Sequence, residues 1–107
     1  MSNYRPDDVT PLTKLNGSGK YLTVEAWVNH IIDLNTHNPA QKGLLGDDSL
    51  SRDEKRLFVV SRGSGVDRLE KGNKYRLENV KDHYYENQDE IQIMITEQSR
   101  VKTLYEG

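Results

Sequence analysis

The chain has 107 residues, no cysteine, and a formal charge of −2 from 15 Lys and Arg against 17 Asp and Glu. That length suits one domain around one core rather than two. The absent cysteines exclude disulfides and thiolate metal sites, and the charge argues against a protein that grips duplex DNA by bulk positive potential. No apolar run approaches the roughly 20 residues of a membrane helix, and residues 1–19 lack the apolar centre of a signal peptide, so a cytoplasmic protein without membrane contact is expected.

Residues 1–10 are polar and carry Pro6, with Pro11 just beyond, which predicts a flexible N-terminal arm and a folded domain over 11–107. Val9, Leu12 and Leu15 suit a short helical turn that caps one end of the fold. Asn16-Gly17-Ser18-Gly19 is turn chemistry. From Lys20 the apolar residues alternate, with Leu22, Val24, Ala26 and Val28 on one face and Thr23, Glu25, Trp27 and Asn29 on the other. The adjacent Ile31 and Ile32 break that phase, which predicts a bulge and a bend, the device that lets one long strand serve two sides of a small barrel.

Asn35 to Pro39 reads as a loop, Gly43 to Gly46 as a second strand, Asp47 to Glu54 as a polar connection, and Arg56 to Arg62 as a third strand. Gly63 to Gly72 holds a short turn or helix with Val66 and Leu69. Lys74 to Val80 forms a fourth strand with Tyr75 and Leu77 on one side. Asn87-Gln88-Asp89 turns the chain into Glu90 to Thr96, where Ile91, Ile93 and Ile95 face in while Gln92 and Met94 face out. Five strands with a long bent first one and a connecting element between the third and fourth describe an all-β, five-stranded Greek-key barrel. An SH3-like barrel or a small sandwich is the structural rival. The predicted core comprises Val24, Ala26, Val28, Leu77, Ile91, Ile93 and Ile95.

Ordered features over about ninety residues, from Val9 to Leu104, narrow the choice. Leu12 and Leu15 before the Gly-rich turn, then Val24-Glu25-Ala26-Trp27-Val28, resemble the start and first strand of archaeal replication protein A modules. Gly43-Leu44-Leu45-Gly46-Asp47-Asp48 resembles their second strand and acidic turn, and Leu69 to Val80 their glycine turn and fourth strand. Ile91-Gln92-Ile93-Met94-Ile95, followed by Ser99 and Val101, is similar to their last strand. This resemblance implies an OB-fold (oligonucleotide/oligosaccharide-binding) domain that binds single-stranded DNA in replication or repair, without catalysis or cofactor. Other replication or repair proteins, or RNA, are further partners consistent with it. Where the family commonly places a stacking aromatic at the end of the third strand, this chain has Arg62, and a second stacking position holds Met94.

Single-strand binding needs flat side chains for bases and cations along the backbone path. Trp27 lies opposite the expected core. Pointing Leu57 and Val59 inward turns Arg56, Phe58, Val60 and Arg62 outward, and that register avoids the large cost of burying an unpaired guanidinium. The opposite register makes the chain's one Phe a core residue. Tyr84 and Tyr85, beside His83 in the expected loop between the fourth and fifth strands, are placed to close over a base. Lys42, Arg52, Lys55, Arg56 and Arg62 supply cations, with Asp47, Asp48, Asp53 and Glu54 among them.

The candidate nucleic-acid contacts are therefore Trp27, Lys42, Arg52, Lys55, Arg56, Phe58, Arg62, Tyr84, Tyr85 and Met94. His30, His37 and His83 are too scattered for a metal site, Gly63 to Gly65 lacks the Lys-Ser/Thr of a P-loop, and the chain presents no nucleophile–base pair. An interaction barrel that holds a protein through Leu44, Phe58 and Val60 is the functional alternative.

Overall fold

The computed structural model describes residues 9–32, 41–51, 53–61, 65, 69–86 and 89–107. The bulk of the arm predicted over 1–10, the loop at Asn35 to Pro39 with His37, the turn residues Asn87 and Gln88, and Val66 of the third connection lie outside them. So do Arg52 and Arg62.

Among the described residues, six strands follow a 3-10 turn at Leu12–Lys14: β1 (Tyr21–Ile32), β2 (Gln41–Gly46), β3 (Arg56–Val60), β4 (Lys74–Tyr85), β5 (Glu90–Ile95) and β6 (Arg100–Tyr105). They run in the order β1-β2-β3-β5-β4-β6, and a further β1–β4 pairing closes β1 to β5 into a five-membered ring. Every ring pairing is antiparallel except β3 with β5, which is parallel. β6 runs along β4 beyond the ring, on Lys74 to Glu78, while β5 takes Lys81 to Tyr85 of the same strand.

Two bulges make closure possible. On β1 an extra residue, Asn29, lies between Val28 and His30 opposite the consecutive Leu45 and Leu44. The predicted change of phase is thus real but sits two residues before Ile31. On β4 the register against Leu22 and Val24 jumps from Val80 to Leu77, with Asn79 at φ 56°. Tyr75 and Leu77 face inward before the bulge, Val80 and Asp82 after it. One residue in the left-handed region lets β4 bend and continue for twelve residues.

The core joins Val24, Ala26, Val28, Leu45, Phe58, Val60, Leu77, Val80, Ile93 and Ile95, with Ile91 packed half-buried against it. The short helical turn expected near Leu12 is present and Leu12, Leu15 and Leu69 are buried in the core, whereas Val9, expected with them, is exposed. The 3-10 turn is fastened by the Asp47 carboxylate, which accepts the Leu12 N–H at 2.9 Å. At Asp82, 2% exposed, the carboxylate accepts the N–H groups of Asn16 at 3.0 Å and Gly17 at 2.9 Å. This satisfies a buried charge and pins the Gly-rich turn to β4. Val9 and Thr10, the end of the expected arm, are tied to β1 by a parallel bridge to Thr23 and a 2.7 Å Thr10 N–H bond to the Thr23 carbonyl.

Candidate nucleic-acid interface

Strand β3 decides which face can meet a ligand. Phe58 is fully buried, which corrects the outward register expected from the sequence. The premise behind that register was that an inward Arg56 would lie in the core. Arg56 is the first residue of β3, at the barrel's mouth, where it stays half-buried and donates to the Lys55 carbonyl at 3.3 Å. The ring of Phe58 fills the space over its cross-strand neighbour Gly43. A Cβ on Gly43 would lie 2.6 Å from that ring and would also clash with the His30 carbonyl oxygen. Val60 is also core, so of the Leu44, Phe58 and Val60 surface only Leu44 faces out.

The outer face of β2, β3 and β5 carries two rows that the pairing registers define. One runs His30, Leu44, Leu57, Gln92, His83, and the other Ile32, Lys42, Val59, Met94, Lys81. The second row is an aliphatic and thioether centre between two lysines. Met94 stands on the outer face of β5, as expected. Lys42 lies 3.9 Å from the Glu90 carboxylate, which also accepts from Gln92 at 3.2 Å, so one acid interrupts the face.

Tyr84 and Tyr85 are in strand β4, paired with Ile91 and Glu90, and not in the loop expected there. Successive strand residues point to opposite sides. Tyr85 therefore shares the side of Lys81 and His83. Tyr84 takes the other, where its Cβ lies 2.8 Å from the position a Cβ on Gly17 would take. The Tyr84 hydroxyl donates to Asp89. That hydrogen bond, then desolvation and the charges of Asp89 and Glu86, push its pKa above the ordinary tyrosine value. The two rings cannot close on one base together.

Trp27 is on the outer wall of β1, as its alternation predicts, but at the seam with β4, where its pairing partner is Lys74. In the closed order, β1 and β4 are the two strands that do not neighbour β3, so Trp27 lies away from β3, although its other pairing partner, Gly46, ends β2. Tyr105 of β6 packs edge-on to it, with ring centroids 5.2 Å apart at 68°, and the Lys74 ammonium lies 5.8 Å from its centroid. An open groove of about 290 Å³ passes there, lined by Trp27, Val9, Pro11, Glu25, Asp47 and Asp48 among others. Lys55 is half-buried just ahead of β3. Among the described residues no group of three or more His, Cys, Asp or Glu side chains is arranged to hold a metal, and no helix is long and apolar enough to cross a membrane.

The closed ring with its parallel β3–β5 pair matches solved structures along nearly its whole length. The chain is an OB fold. It is similar to the OB domain of a Methanosarcina mazei protein, at TM-score 0.79 and 23% identity over 92% of this chain and 85% of that one. It is also similar to the p204 HINb domain, at TM-score 0.68 and 22% identity over 92% of this chain and 48% of that one. A third likeness is to a murine DNA-binding protein bound to double-stranded DNA, at TM-score 0.67 and 16% identity over 94% of this chain and 50% of that one. This OB fold thus spans about half the length of the two latter chains. No protein-family model matches the sequence, and no curated protein does.

Proposed function

We propose that this OB fold binds nucleic acid on the outer face of β2, β3 and β5, and that its ligand is single-stranded DNA handled in replication or repair, as in the modules of replication protein A. The row Lys42, Val59, Met94, Lys81 carries the reading. Two ammonium groups flank an apolar strip in which Val59 is buried and Met94 half-buried, so Met94 is the surface on which unpaired bases can lie, and Tyr85 adds one ring at the edge. Similarity of fold to a DNA-bound protein supports a nucleic-acid ligand in general. Phe58 contributes to this face only from beneath.

Anisotropy of fluorescent oligo-dT across a salt series tests the proposal. Lys42→Ala and Lys81→Ala are each expected to lower the salt slope by about 0.7, the value for one phosphate contact on a single strand. Tyr85→Ala is expected to weaken binding at every salt concentration with the slope unchanged, since stacking releases no counterions and contributes roughly 1–3 kcal/mol per base. Duplex DNA, whose bases are already stacked, is expected to bind poorly.

A second reading rests on the other row. With Phe58 in the core, Leu44 and Leu57 stand side by side where a stacking ring would be expected, which favours a protein partner. Negligible strand binding by folded protein at low salt would replace the DNA reading with that one.

A further inference from the structure

Trp27 serves neither row of the β2–β3–β5 face, and its surroundings have a different chemistry. The groove over it carries three carboxylates, Glu25, Asp47 and Asp48, against one ammonium, Lys74. Phosphates are repelled by such a rim, whereas a cation is drawn to it. Two of the acids already have work: Glu25 pairs with Arg76 at 2.9 Å, and Asp47 holds the 3-10 turn through the Leu12 N–H. Asp48 is exposed and gives the groove a carboxylate for an incoming donor. The indole meanwhile has a tethered cation, Lys74, near its ring at 5.8 Å. The chain thus shows by its own side chain that a cation can be seated here.

We propose that this groove docks an arginine-bearing, basic segment of a partner protein. Its guanidinium would displace Lys74 from the Trp27 ring and donate to the Asp48 carboxylate. A planar guanidinium suits this geometry better than an ammonium, because it stacks on an aromatic face and forks onto a carboxylate at once, and it gives up its hydration more readily. Pro11 and Val9 offer apolar contact for the stem of the side chain. Neither row of the β2–β3–β5 face includes Trp27, so that face remains open to its own ligand.

The test uses a fluorescein-labelled peptide with two arginines in a Gly-Ser frame, at low salt, beside its lysine and citrulline counterparts. Trp27 is the chain's one tryptophan, so its emission reports on the groove directly. The arginine peptide is expected to change that emission and to bind better than the lysine peptide, with citrulline weakest. Trp27→Leu is expected to weaken binding roughly 3- to 30-fold and Asp48→Asn about 2- to 5-fold. Lys74→Met, which frees the ring, is expected to strengthen it. Asp53→Asn, on the same loop outside the groove, is the control for general attraction and should leave affinity unchanged. Thermal melts confirm that each variant is folded. Equal binding of arginine and citrulline peptides, unchanged Trp27 emission on binding, or an equal effect of Asp53→Asn would overturn the proposal. Quenching of Trp27 by oligo-dT that the peptide does not compete for would overturn it in favour of a nucleic-acid groove.

Discussion

The outer face of β2, β3 and β5 and the seam of β1 with β4 are two walls of one ring, yet they differ in chemistry. The first sets lysines around an apolar strip in which Val59 is buried at 7% exposure and Leu44, Leu57 and Met94 are half-buried. The second sets acids around a tryptophan that already holds an aromatic partner and a cation. A basic residue and an aromatic one therefore mean different things according to which strands of the ring carry them. Net charge of −2 averages over both walls and describes neither.

The sharpest way to break this comparison is to remove what lies under the first wall. Phe58→Ala should destabilise the protein by about 3–5 kcal/mol, the cost of deleting a buried aromatic and leaving a cavity, measured by denaturant unfolding. Hydrogen exchange should show the β2 and β3 amides losing protection. A Phe58→Ala protein that lost strand affinity at unchanged stability would return Phe58 to the surface.

A smaller blow to the same wall is Gly43→Ala. The new methyl would meet both the Phe58 ring and the His30 carbonyl oxygen, and the backbone contact cannot be relieved by a side-chain rotation. A loss of about 1–3 kcal/mol is expected, read from the melting temperature.

Much of the fold was legible because strands with one buried side must alternate. Six of the seven residues assigned to the core from that pattern are buried, and Ile91 is half-buried at its edge. The errors arose where the pattern met an end, a bulge or no core at all. Arg56 begins its strand and is only half-buried there, so its inward phase costs little and could not report the register. Past Asn79 the inward phase passes from odd to even positions, which made Lys81 to Tyr85 look like a loop. β6 is solvent-exposed along nearly its whole length, so Arg100 to Tyr105 show no alternation to read. At the candidate sites, the sequence identified Met94 and Trp27 as outward residues and Lys42 as a cation beside them. Lys81, His83 and Leu57 were missed, since only pairing partners across β3, β5 and β4 bring them into line.

The second wall is probed more gently. Tyr105→Ala should cost about 0.5–1.5 kcal/mol or less, the range for an aromatic pair, because Tyr105 is 58% exposed. Trp27 emission should shift to the red while affinity for single strands is unchanged. A fall in strand affinity would merge the two walls into one site.

The smallest expected effect concerns pH. Tyr84 gains its hydrogen bond to Asp89 only in the neutral form, and its folded-state pKa is raised. This contribution is fully present below the unfolded tyrosine value of about 10 and is lost as pH rises through the higher folded value. Spectrophotometric titration of the phenolates should show a component ionising above the ordinary tyrosine value. Tyr84→Phe should abolish that component and leave the alkaline limb of the stability curve less steep.

The closure of β1 on β4 sets an order of events at the ribosome. The Gly-rich turn and Asp82 that it joins are 66 residues apart at Asn16. β1 can pair with β2 early, but its other edge, Tyr21 to Trp27, waits for β4 to be synthesised. At about 5–20 residues per second that wait lasts a few seconds, during which a nascent chain carries an open, apolar strand edge of the kind that pairs with other chains. Slow translation through the segment between β2 and β4 should therefore lower the yield of native protein, even though the finished barrel is unchanged.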